Sequence, residues 1–151
     1  FFLLRPGTTD PQRLYSRYFA PEDDRIILAL FQEHRGESPL CQHYYAIKDY
    51  TKLLEECSRL LETDPGNQLY QLYRLLAALK LGNSEEILQE MDHLQQVETR
   101  TGTGRALLWY SALAWIQAGS PEEAIPLLQQ LAGKPGPYSR KAGKLKKRLS
   151  K

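Results

Sequence analysis

The stretch Leu108–Leu131, LWYSALAWIQAGSPEEAIPLLQQL, decides the fold. It reads as two helices folded back on each other. The first runs from Arg105 to Ala118 and stops at Gly119, since glycine enters the left-handed conformation of a helix end without a Cβ penalty. The second opens at Ser120-Pro121-Glu122-Glu123 and reaches Leu131. Serine caps the free backbone N–H groups there, proline suits the first helical position, and the acids suit the positive end of the helix dipole.

The same plan recurs upstream. Gln68 to Leu81 is predicted to be a helix with Leu69, Leu72, Tyr73, Leu76 and Leu79 along one side. Gly82-Asn83 ends it, and Ser84-Glu85-Glu86 starts a partner helix expected to reach Val97. Before these, Pro39–Ile47 and Tyr50–Glu62 form another pair, the second capped by Asp49 and stopped by Asp64-Pro65-Gly66-Asn67. Lys48, Gly82 and Gly119 hold the same place in the three pairs, at steps of 34 and 37 residues, and a loop at Thr99–Gly104 takes up the difference. A last helix, Tyr138–Leu149, follows the breaker Gly133-Lys134-Pro135-Gly136-Pro137. The expected class is all-α: three antiparallel helical hairpins and a C-terminal capping helix.

Hairpins at this period resemble tetratricopeptide repeats. In the third, Ala112 and Ala124 stand at the family's two small positions, Trp115 at an aromatic position and Gly119 at the turn. The first hairpin matches through Ile47-Lys48-Asp49-Tyr50, Leu53, Cys57, Leu60 and Asp64-Pro65-Gly66-Asn67, whereas the second departs from the pattern at Leu75 and Ile87. The resemblance covers Gly36 to Leu149 and implies a right-handed solenoid. Tyr18-Phe19-Ala20-Pro21 and Pro137-Tyr138 also resemble segments of bacterial membrane-anchored repeat proteins. That likeness implies a missing N-terminal membrane helix with this domain beyond the membrane, in the periplasm; a cytoplasmic domain is the other reading.

The N-terminal part divides into a linker, residues 1–11, and an arm, residues 12–35, that packs on the repeat domain of residues 36–151. The chain opens on Phe1-Phe2-Leu3-Leu4 rather than Met, which reads as a processed chain or a piece of a longer one. Those four residues are either a terminal docking segment or the last turn of a removed membrane helix, which needs about 20 residues to span. Within the arm, Gln12–Phe19 is a short helical pattern stopped by Pro21, and the apolar run Ile26–Phe31 is expected to be extended or irregular.

With 42% hydrophobic and 25% charged residues, the 151-residue chain is one ordinary globular domain rather than a disordered one. It carries no metalloprotease, nucleophile-elbow, dinucleotide or Walker motif, so the expectation is a protein that is not an enzyme and takes no cofactor or metal. Thr101-Gly102-Thr103-Gly104-Arg105 has glycines but lacks the Gly-Lys-Ser/Thr ending of a phosphate loop, and His34, His43 and His93 are scattered. Cys41 and Cys57 align with Ala112 and Leu128 and should face inward as core thiols, with a disulfide open as the other reading.

The resemblance also implies where a partner would sit. First helices of such hairpins line a concave groove, and here that face maps to Gln42, Tyr45, Leu72, Leu76, Leu79, Trp109, Leu113 and Ile116. An apolar groove suits a peptide or helix of a protein partner, bound by a monomer or weak dimer. The competing reading fills the groove with the chain's own Tyr15–Phe31 segment. A second function class rests on the C-terminal helix: from Lys134 to Lys151 every charged residue is basic, and Arg140, Lys144, Lys147 and Arg148 would meet nucleic acid or an anionic surface. Nucleic acid is the weaker of these, because the tail offers no second aromatic for base stacking.

Overall fold

Capping side chains set where most of the helices start. Asp10 accepts from the Gln12 N–H (3.1 Å), Asp24 from Ile26 and Ile27 (2.9 and 3.2 Å), Asp49 from Lys52 (3.2 Å), Asn67 from Tyr70 (3.1 Å) and Thr101 from Gly104 (3.0 Å). Each satisfies a donor that the first helical turn leaves without a partner. The computed structural model describes residues 10–91 and 99–150, and every regular element among them is helical. In order these are α1 (Pro11–Tyr18), a 3-10 turn (Pro21–Asp23), α2 (Arg25–Glu33), α3 (Pro39–Ala46), α4 (Tyr50–Thr63), α5 (Gln68–Leu81), α6 (Ser84–Glu90), α7 (Gly102–Gln117), α8 (Pro121–Ala132) and α9 (Ser139–Leu149). The expected linker up to residue 9, the extension of α6 to Val97, and Lys151 lie outside the described residues.

Three hairpins follow, α3–α4, α5–α6 and α7–α8. Their first helices lie in sequence, α3 against α5 and α5 against α7, and each second helix reaches the helix that follows it: α4 on α5, α6 on α7, α8 on α9. The turns are equivalent in conformation as well as in position. Lys48 has φ 61°, Gly82 φ 76° and Gly119 φ 89°, all left-handed. Lys48 pays a steric penalty of about 1–2 kcal/mol that the glycines avoid; two backbone hydrogen bonds close its turn, from the Lys48 N–H to Tyr45 O (3.2 Å) and from the Asp49 N–H to Tyr44 O (2.9 Å).

Helix α7 is central. Leu107, Leu108, Trp109, Tyr110, Ala112, Leu113, Ala114 and Ile116 are all buried, the pattern of a helix surrounded on every side. It begins at Gly102, three residues earlier than the sequence suggested, because Thr101 acts as its cap. The arm supplies part of the surrounding, with α1 and α2 both packed on α7. The run Ile26–Phe31 is helical, not extended as expected. Ile27, Leu30 and Phe31 recur at spacings of three and four and are buried, while Leu28 is half-exposed. Apolar residues on both faces hid the 3.6-residue period, and Asp24 supplied the start signal.

One carboxylate ties the arm to the rest. Asp24 Oδ1 caps α2, and Oδ2 accepts from the Tyr110 hydroxyl (2.6 Å) on α7 and the Tyr138 hydroxyl (2.7 Å) before α9. Tyr138 itself is left-handed (φ 68°) and stacks on Trp109, with ring centroids 5.6 Å apart. Burial first, and then the Asp24 carboxylate, push both phenols well above the ordinary tyrosine value. The folded state therefore holds protons that the unfolded chain releases above about pH 10, so this stability is present below that pH and lost as pH rises beyond it. Urea unfolding should show Tyr138→Phe less stable by about 1.5–3 kcal/mol at neutral pH, the range for a hydrogen bond to a charged group, with a shallower decline than wild type above about pH 10.

Candidate functional site

The face expected to bind a partner is largely occupied by this chain. Leu72, Leu76, Trp109 and Leu113 are buried, as are Leu79 and Ile116, whereas Gln42 and Tyr45 remain half-buried. Tyr18 of α1 sets its ring edge-on to Trp109 at 6.0 Å. Phe31 of α2 stacks on Tyr73 at 4.3 Å and meets Tyr45 edge-on at 5.0 Å. Polar contacts pin the same seam: Gln12 Nε2 donates to Ile116 O (2.9 Å), and Gln117 Nε2 donates to the Tyr15 hydroxyl (2.9 Å) and to Leu79 O (3.1 Å). Lys80 pairs with Glu22, whose carboxyl it holds below the usual range. These contacts fit the competing reading, in which the chain's own arm lies on the groove face. The physical reason is matching surface: the apolar stripes of α1 and α2 remove from water the area that α5 and α7 would otherwise expose.

Apolar surface survives on the far side of α3. Leu40 and Ile47 are about half-exposed, and Tyr44 lies between them on one helical stripe, at steps of four and three residues. Tyr44 also borders a cleft of about 330 Å³ formed with Lys52, Glu55, Glu56 and Arg59 of α4. Glu56 and Arg59 form a two-point pair (3.0 and 2.7 Å) that lowers the carboxyl's affinity for protons. This is the outer side of the first hairpin, which no other hairpin covers among the described residues.

The basic residues of α9 face outward. Ala142 and Leu145 are buried inward, Arg140, Lys144 and Lys147 are exposed, and Arg148 is half-buried. Sequence reasoning missed their neighbours: Arg13 and Arg17 of α1 line a cavity of about 310 Å³ with Arg148 and Leu14. Among the described residues none of these three arginines forms an ion pair. The helical spacing of Arg13 and Arg17 was visible, but not that Arg148 of α9 lines the same cavity.

In the glycine-bearing segment at 101–105 the side chains of Thr101 and Arg105 have structural partners. Thr101 is used as a helix cap, and Arg105 is buried, donating to the carbonyl oxygens of Pro137 (2.8 Å), Leu131 (3.0 Å) and Lys134 (3.2 Å). It holds the connection between α8 and α9 without an acidic partner among these contacts. A wider cleft of about 590 Å³ lies between the end of α2 and the starts of α5 and α7. Its titratable side chains are Glu33, His34 and Glu37, with His34 Nδ1 3.0 Å from Glu37 Oε2. Among the described residues no three His, Cys, Asp or Glu side chains are grouped to hold a metal, and no helix is long and apolar enough to cross a membrane. No protein-family model, curated protein or solved structure matches this chain.

A filled groove makes its residues core. Trp109→Ala should cost about 3–5 kcal/mol and Leu76→Ala about 2–5 kcal/mol in urea unfolding. Gln42→Ala should stay within about 0.5 kcal/mol, as surface changes do.

Proposed function

We propose that this chain is a non-catalytic protein-interaction scaffold, a tetratricopeptide-type right-handed stack of three hairpins capped by α9. The observation that carries the reading is the set of equivalent left-handed turns at Lys48, Gly82 and Gly119 with α3, α5 and α7 laid in sequence. Such a stack recognises helices by burying one apolar stripe against its own, and α1 and α2 already sit on it in that manner. With the groove filled, a partner's amphipathic helix docks on the outer side of the first hairpin, across Leu40, Tyr44 and Ile47. Peptides selected for binding from a library of amphipathic helices test this. The Leu40→Asp, Ile47→Asp double variant should keep its thermal unfolding curve and lose at least about tenfold in affinity, since two buried aliphatic anchors are replaced by charge. Selected peptides that bind both proteins equally would move the partner surface elsewhere.

A second reading has its own support. Arg13, Arg17 and Arg148 form one cationic cavity continuous with the exposed side of α9, and Arg13 stands in the first turn of α1, where the helix dipole disfavours a cation. We propose this face for nucleic acid or an anionic surface. Binding to anionic lipid vesicles or to single-stranded DNA should then fall steeply with added salt and weaken further in the Arg13→Ala, Arg17→Ala variant. Binding that ignores salt rules this face out.

A further inference from the structure

The two cysteines face each other where α3 crosses α4. Cys41 Sγ and Cys57 Sγ are 3.3 Å apart and both side chains are fully buried. The equivalent positions of the other hairpins carry Leu75 with Met91 and Ala112 with Leu128, all buried, and only the first hairpin has two thiols there that can join in a disulfide. A disulfide bond is about 2.05 Å long, so the sulfurs need to approach by about 1.3 Å, within the reach of small side-chain rotations. We propose that Cys41 and Cys57 are a dithiol–disulfide pair, oxidised to an intramolecular bond by a small-molecule disulfide.

The local environment assigns an order to the two thiols. Cys41 lies in the first turn of α3, close to unpaired backbone N–H groups that favour an anion. The hydrogen bond between the two sulfurs, with the Ser38 hydroxyl, holds the Cys41 thiol below its ordinary value against the opposing effect of burial. Cys57 is pushed the other way, by the same hydrogen bond and by burial. Cys41 thiolate therefore attacks first, forming a mixed disulfide and expelling one thiolate. Cys57, losing its proton to solvent, then attacks Cys41 Sγ and expels the second. Two electrons pass from the cysteine sulfurs to the oxidant, and the two protons end on the two released thiols. Entry requires α3 to swing away, and among the described residues no other hairpin covers its outer side, where Leu40 and Ile47 lie half in solvent.

The test treats the intact, folded chain with oxidised glutathione, quenches with a maleimide and reads the mass. The expected product has lost both free thiols together, is lighter by two hydrogens, carries no glutathione, and unfolds at a higher temperature until a reductant is added. Cys57→Ala should instead retain one glutathione on Cys41. The proposal fails if the folded chain keeps both thiols under conditions that oxidise the urea-unfolded chain. It also fails if the wild type accumulates a stable glutathione adduct. The thiol readout needs no partner, so it stands or falls apart from the scaffold reading.

Discussion

The Asp24 carboxylate is the point on which the arrangement turns. A carboxylate taken out of water is unfavourable unless its oxygens are matched by donors. Here one oxygen takes two backbone N–H groups and starts α2, while the other takes two phenols that lie 86 and 114 residues along the chain. Local and long-range order are thus coupled at a single side chain: α2 cannot be correctly started and displaced from α7 at once without stranding a buried charge. Tyr138 brings in the start of α9, and the ring that carries this hydroxyl stacks on Trp109 of α7. The arm is for this reason a structural part of the domain and not an appendage resting on it.

That coupling changes what the hairpins can do. A stack of helical hairpins with only neighbour contacts has separable units, each adding a roughly independent increment. Contacts of α1 and α2 with α7 span most of the described chain and make the third hairpin depend on residues 11–33. With α1 and α2 on the groove face, the exposed apolar side chains Leu40 and Ile47 lie on the outer side of α3, and three arginines line a cavity shared by α1 and α9.

The hairpins were legible in the sequence because their punctuation is chemical. Glycine, proline and capping residues mark helix ends, and the repeated place of Lys48, Gly82 and Gly119 survives even though one of them is not glycine. The inward direction of Cys41 and Cys57 followed from the same register. Helix α2 was missed because Ile26, Leu28 and Ala29 add apolar residues outside its buried stripe, which erases the period on which a helix is read. The candidate groove was legible as an apolar face, and the Tyr15–Phe31 segment as one thing that could fill it, but the spacing of Leu72, Leu76, Trp109 and Leu113 does not record the particular contacts of Tyr18 with Trp109 and of Phe31 with Tyr73. The phenol–carboxylate contacts leave no trace at all in sequence spacing, and neither does the meeting of Arg13 and Arg17 with Arg148.

Repeat proteins ordinarily change length by duplicating or losing a unit, because each new hairpin finds the same neighbour it replaced. Here such an event meets a ruler. Neighbouring helices pack about 8–10 Å apart, so one inserted or deleted hairpin would carry Tyr138 away from Asp24 by several times the 2.7 Å that now joins them. The clasp between the start of the arm's second helix and the start of the last helix counts the hairpins between them. A change in the number of hairpins between these two side chains therefore has to break their bond.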